Sequence, residues 1–130
     1  MKDNNLEKVK EIFDSLEVQE NKGQQIKKVI DHLTETGWNL MHWACYGGHI
    51  QIVKLFLDYD ANLNVETNDG WTSLQLAAFK NHIEVAKTLL AKKTADINQI
   101  TTKGTALHVA AKNAKPEMVS LLLENKADPE

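Results

Sequence analysis

Apolar side chains in this chain recur at helical spacing, in short stretches separated by polar joints rich in glycine and asparagine. Residues 5–16 set Leu6, Val9, Ile12, Phe13 and Leu16 three or four apart with charges between them, as a helix with one apolar face does. Asn4 or Asn5 is placed to cap it. Residues 17–24 read as a loop, and Ile26, Val29, Ile30 and Leu33 then predict a helix over about residues 24–34. From residue 36 the pattern changes. Pairs of small residues, Ala44-Cys45, Ala77-Ala78 and Ala110-Ala111, each precede a stretch of larger ones, such as Ile50, Val53, Phe56 and Leu57 in the first case. This predicts three helical hairpins, with first helices over about 40–47, 73–80 and 106–113 and second helices over about 50–59, 83–92 and 116–125. Asn39, Thr72 and Thr105 stand where a side-chain oxygen caps the first helix. The joints within the hairpins are Gly47-Gly48, Lys80-Asn81 and Asn113-Ala114. Gly and Asn accept the positive φ such a joint commonly needs, and Ala114 does so poorly, so the third joint is expected to be locally strained or differently turned. Asn68-Asp69-Gly70 is a hairpin-turn signal, repeated more weakly at Lys103-Gly104.

These elements are copies of one another. Asp69-Gly-Trp-Thr-Ser-Leu-Gln-Leu-Ala-Ala78 is preceded by Thr36-Gly-Trp-Asn-Leu-Met-His-Trp-Ala-Cys45 and followed by Lys103-Gly-Thr-Ala-Leu-His-Val-Ala-Ala111, the last one residue shorter. His42, Gln75 and His108 fall at a constant interval, as do Ala44, Ala77 and Ala110. A second block recurs as Gly48-His-Ile-Gln-Ile-Val-Lys-Leu-Phe-Leu57, Asn81-His-Ile-Glu-Val-Ala-Lys-Thr-Leu-Leu90 and Ala114-Lys-Pro-Glu-Met-Val-Ser-Leu-Leu-Leu123. A third runs Ala61-Asn-Leu-Asn64, Ala95-Asp-Ile-Asn98 and Ala127-Asp-Pro129. A period of this size belongs to a stacked array in which each unit shields its neighbours.

On these blocks the chain resembles the ankyrin-repeat family, over roughly residues 36–130. The family frame is a glycine, a variable residue, Thr-Pro-Leu-His, small residues, Gly-His, an apolar helix and Gly-Ala-Asp-x-Asn. Here Leu40, Ser73 and Ala106 replace the proline and Gln75 replaces the histidine. One unit gains a residue near Lys92–Thr94, and the next loses one beside Thr105. The resemblance implies an all-α solenoid of stacked helix-turn-helix units with short β-hairpin-like fingers. Its repeats would be 36–68, 69–102 and an incomplete 103–130, and residues 1–35 would form a divergent helical cap over the first. The apolar helix ending at Leu123 reads as internal to an array, so the chain is expected to be a piece of a longer protein.

Composition narrows the function. Net charge is −3 with pI near 5.9, which gives no electrostatic footprint for nucleic acid. The charge is uneven: residues 36–69 hold Lys54 against Asp58, Asp60, Glu66 and Asp69, whereas residues 70–103 hold Lys80, Lys87, Lys92, Lys93 and Lys103 against Glu84 and Asp96. These are solvated faces or, in the sharper reading, a basic strip suited to an acidic partner. A single cysteine, Cys45, excludes an intrachain disulfide, and its alignment with Ala78 and Ala111 makes it a small buried residue. With neither a signal peptide nor a membrane-length apolar run, the expected setting is intracellular and cytoplasmic, without membrane insertion.

Catalytic chemistry finds no support. Under the resemblance, His42, His49, His82 and His108 are scaffold histidines bonded to backbone, and His32 has no companion at ligand spacing. There is no Cys/His cluster, glycine-rich phosphate loop or serine elbow, so no metal, cofactor or small-molecule substrate is expected. The frame leaves variable the finger, the residue after the glycine and those after the small pair, and family partners meet the concave face there. In this chain those positions hold Trp38, Tyr46, Asn68, Asp69, Trp71, Phe79, Lys80, Thr102, Lys103 and Lys112. Four of the eight aromatics fall among them, and Trp and Tyr are enriched in binding hot spots. Trp43 aligns with Leu76 and Val109 and is predicted to be core. The expected function is protein recognition, of another protein or another domain of the same chain. The alternative is an autoregulatory or targeting segment of a larger multidomain protein, such as a lipid-handling or signalling enzyme.

Overall fold

Small side chains decide which helices approach most closely here. The computed structural model describes residues 22–92 and 94–127; the predicted helix over residues 5–16 and its cap lie outside them. Within the described residues the helices are α1 (Lys22–Asp31), α2 (Leu40–Gly47), α3 (Ile50–Asp58), α4 (Ser73–Phe79), α5 (Ile83–Leu90), α6 (Ala106–Lys112) and α7 (Pro116–Glu124). The pairs α2–α3, α4–α5 and α6–α7 form hairpins. The inner helices α2, α4 and α6 stack directly on one another through Ala44, Cys45, Ala77, Ala78 and Ala110, all fully buried. The outer helices α3, α5 and α7 stack through larger groups: Ile52, Val85 and Met118 at one frame position, Phe56, Leu89 and Leu122 at another, all buried. Helices of seven to ten residues are marginal alone in water, so this packing holds them.

Each inner helix begins with the same reciprocal cap. The Asn39, Thr72 and Thr105 side chains accept the N–H groups of His42, Gln75 and His108, whose side chains in turn accept the N–H of the capping residue. Fingers between the hairpins are held by backbone pairs: Thr67 N–H to Trp71 O at 2.8 Å and Gly70 N–H to Thr67 O at 2.9 Å, matched by Thr34 N–H to Trp38 O and Gly37 N–H to Thr34 O, both 2.9 Å. Among the described residues the extended pairing in the fingers amounts to one isolated bridge, Thr101 with Gly104. Gly37 (φ +80°) and Gly70 (φ +83°) turn these fingers in the left-handed region, and a Cβ on Gly37 would lie 2.7 Å from the Asn68 amide nitrogen.

α1 departs from its predicted bounds at both ends. Lys22 to Gln24, read as loop, are helical, because packing of α1 on α2 outweighs the poor propensity of Gly23. The helix stops at Asp31 instead of running to about 34, since Thr34 belongs to the finger pairing. Asp31 Oδ1 accepts the Asn62 N–H at 3.0 Å, as Asn64 Oδ1 accepts the Asp96 N–H at 3.0 Å one repeat later. α1 therefore docks on the first hairpin with the kind of bond that joins the first and second repeats.

The joint within the third hairpin carries the predicted strain. Asn81 and Ala114 adopt φ +58° and +53°, where the first hairpin has Gly48 at φ +71°. A left-handed alanine costs about 1–2 kcal/mol, and the greater unfolded-state freedom of glycine offsets part of any relief. Ala114→Gly is expected to raise stability by about 0.5–1 kcal/mol in urea titrations. A loss of stability would show that the joint is not strained.

Candidate partner-binding face

The fingers and the tails of the inner helices meet on one side of the stack. In each of the first two units the residue after the finger glycine is a tryptophan, and its ring reaches the aromatic residue at the tail of its own inner helix. Trp71 lies 5.1 Å from Phe79 between ring centroids, and Trp38 lies 5.6 Å from Tyr46 in an edge-on arrangement. All four rings are half-buried, with Trp71 and Phe79 resting against the core. In the third unit Gly104 runs directly into Thr105, so the residue lost from the repeat is the one that would carry this ring.

Lysines lie over two of the rings. Lys80 Nζ sits 5.1 Å from the Tyr46 centroid and Lys103 Nζ 5.1 Å from that of Trp71, each reaching back to the preceding unit. Lys80, Lys103 and Lys112 are exposed.

The predicted finger residues divide into two kinds. Asn68 Nδ2 donates to Glu35 O at 2.8 Å, and Thr102 Oγ1 donates to Asp69 O at 3.2 Å. These two side chains tie successive fingers together, although both residues are exposed. The Asp69 carboxylate is exposed at the second finger tip.

Trp43 departs from its prediction as core. It is half-buried and stacks on Trp38 at 4.5 Å, with Tyr46 at 6.4 Å. It thus joins the aromatic cluster of the first unit. Alignment with Leu76 and Val109, both buried, concealed this; the presence of an indole where the other units have smaller aliphatic residues was the available signal.

The histidines bond within the scaffold. His42 is fully buried; its Nδ1 accepts the Asn39 N–H at 2.9 Å and its Nε2 donates to Val65 O at 2.8 Å. Burial holds its pKa below the ordinary 6.5, against the opposing effect of the bond to Val65. His82 Nε2 donates to Tyr46 O at 3.0 Å, and His108 Nδ1 accepts the Thr105 N–H at 3.1 Å. His49 lies against Gly47, and His32 is exposed just beyond the end of α1. Cys45 is fully buried and its thiol is pushed up to about 12 by desolvation, which the Ser73 hydroxyl only partly counters. A thiol so held is not a nucleophile at neutral pH. Among the described residues, no helix is long and apolar enough to cross a membrane.

The comparison with protein families agrees with this geometry. A family model described as ankyrin repeats in three copies matches residues 1–101, and one described as a single ankyrin repeat matches residues 104–130. The first match begins at residue 1 and so takes in the stretch upstream of residue 36.

Proposed function

The chain belongs to the ankyrin-repeat family, and from that premise we propose that it recognises a protein surface through its concave, finger-side face without catalysing a reaction. Ankyrin repeats generally mediate protein–protein interaction and are typically non-catalytic. Their stacking leaves an extended inner surface free for a partner. The occupant is another protein or another domain of the same chain.

The observation that carries the reading is the Trp71–Phe79 pair, two large rings 5.1 Å apart and half-exposed at positions the repeat frame leaves variable. Half-exposed aromatic pairs braced by a rigid scaffold lose little conformational freedom on binding, which makes them effective anchors. Trp38, Trp43 and Tyr46 extend the apolar surface along the first unit, and Lys80, Lys103, Lys112 and Asp69 form its charged border. Asn68 and Thr102 contribute by fixing the fingers relative to one another.

Trp71→Ala and Phe79→Ala are each expected to weaken partner binding by at least about 2 kcal/mol, roughly 30-fold, as hot-spot truncations do. The melting temperature should fall by only a few degrees, because neither ring is enclosed by the core. Affinity capture from a native extract, with the wild type beside each variant, is the test. A partner list unchanged by both substitutions would refute the assignment.

A further inference from the structure

The finger-side face changes character along the array. Its finger tips read Glu35-Thr36, then Asn68-Asp69, then Thr102-Lys103, and its inner-helix tails read Tyr46-Gly47, then Phe79-Lys80, then Lys112-Asn113. Aromatic surface is concentrated on the first two units and positive charge on the second and third. The ion pairs among the described residues are Lys27 with Asp31 and Lys87 with Glu84. Lys80, Lys103 and Lys112 therefore have no carboxylate in ion-pair range there. Two of them rest over rings, which positions an ammonium group without neutralising it.

We propose that the partner segment is an acidic peptide bearing apolar side chains, laid along the array in one direction. Its apolar groups cover Trp38–Trp43–Tyr46 and Trp71–Phe79, and its carboxylates reach Lys80, Lys103 and Lys112. This rests on the reading that the face binds protein. Like charge at Glu35 and Asp69 disfavours the reversed placement, in which the acidic end would lie over the first unit. Packed helices stand about 8–10 Å apart, and an extended peptide rises about 3.3 Å per residue. Groups meeting successive units are then about three residues apart, so the segment reads apolar, two variable, apolar, two variable, acidic. Three exposed lysines carried by the second and third units, two of them lying over rings, on a chain of net charge −3, fit such a segment better than the long uniform charge of a nucleic acid.

The test is selection from a phage-displayed random dodecapeptide library on the full chain, in parallel with Trp71→Ala. Clones enriched on the wild type and lost on Trp71→Ala are expected to carry two apolar residues about three apart, followed on one side by Asp or Glu. A synthetic peptide from such a clone should bind about tenfold more weakly to the triple variant Lys80→Glu, Lys103→Glu, Lys112→Glu at low salt, each exposed pair contributing modestly. That difference should shrink in about 0.5 M salt. All three lysines are exposed, so the variant should keep the wild-type circular dichroism spectrum. Trp71-dependent clones without acidic enrichment, or equal binding by the triple variant, would overturn the proposal while leaving protein recognition standing. So would lysine-dependent sedimentation with phosphatidylserine vesicles in the absence of acidic clones. Selection that yields the same clones on both baits, or none, would instead sink the protein-binding reading itself.

Discussion

Phe56→Ala is expected to lower the unfolding free energy by about 3–5 kcal/mol, as truncation of a fully buried phenylalanine does. Phe56 lies in α3 and is completely buried, and its counterparts Leu89 in α5 and Leu122 in α7 are equally enclosed. The same frame position thus fills the outer layer of each hairpin, and a cavity there removes contacts within one hairpin and between neighbours. Domains of this size are stable by about 5–15 kcal/mol in all, so the loss is a large fraction of the total. In a stack where each unit touches only the next, it should also loosen the coupling between the first hairpin and the rest. The tryptophans make this measurable. Trp38, Trp43 and Trp71 all belong to the first two units, so their fluorescence reports on that end, whereas circular dichroism reports on every helix. In urea the wild type should give coincident transitions by both signals, and Phe56→Ala a fluorescence midpoint below the dichroism midpoint. Coincident transitions in the variant, with a loss under about 1 kcal/mol, would show that Phe56 does not link the units.

The repeat frame was readable because its local rules are written in single residues. Asn39, Thr72 and Thr105 cap three helices through bonds to residues three positions on, a relation fixed by chain spacing alone. The hairpin joint at Ala114 was legible for the same reason, since the two preceding joints place Gly48 and Asn81 at that position. What escaped the sequence depends on how units face one another. Lys80 follows Phe79 in the chain but lies over Tyr46 of the preceding unit. Asn68 and Thr102 look like free finger tips, yet each bonds the backbone of the finger before it. Trp43 occupies a core column, but an indole is too large to be enclosed there and lies against Trp38. The start of α1 at Lys22 was hidden because Gly23 and the polar residues around it carry no helical pattern of their own.

His42 and Gln75 occupy one frame position with two chemistries, and the comparison leads to the sharpest expectation about the scaffold. His42 accepts the Asn39 N–H at Nδ1 and donates from Nε2 to Val65 O, which requires the neutral ring with its proton on Nε2. Gln75 reproduces the pattern with an amide: Oε1 accepts the Thr72 N–H at 3.3 Å and Nε2 donates to Gly104 O at 3.0 Å. Removing the group altogether leaves a buried N–H and a carbonyl unpaired and opens a cavity, so His42→Ala is expected to cost about 2–4 kcal/mol. His42→Gln, which restores donor and acceptor, should stay within about 1 kcal/mol of wild type at neutral pH. The two diverge in acid. A proton on Nδ1 would point at the Asn39 N–H, and burial already holds the folded-state pKa below 6.5. The unfolded chain therefore binds this proton first as pH falls. The contribution of His42 is complete above about pH 6.5, erodes from there down to the folded-state pKa, and levels off below it. Urea titrations across this range should show a steeper acid-side loss for wild type than for His42→Gln, the remaining histidines being common to both. Gln75→His should add a second loss of the same sign, because the imidazole would face the Thr72 N–H in an equally buried site. Parallel pH profiles for wild type and His42→Gln would mean that the ring at 42 is not confined to the neutral tautomer, and that its exchange for an amide at 75 carries no consequence for acid stability.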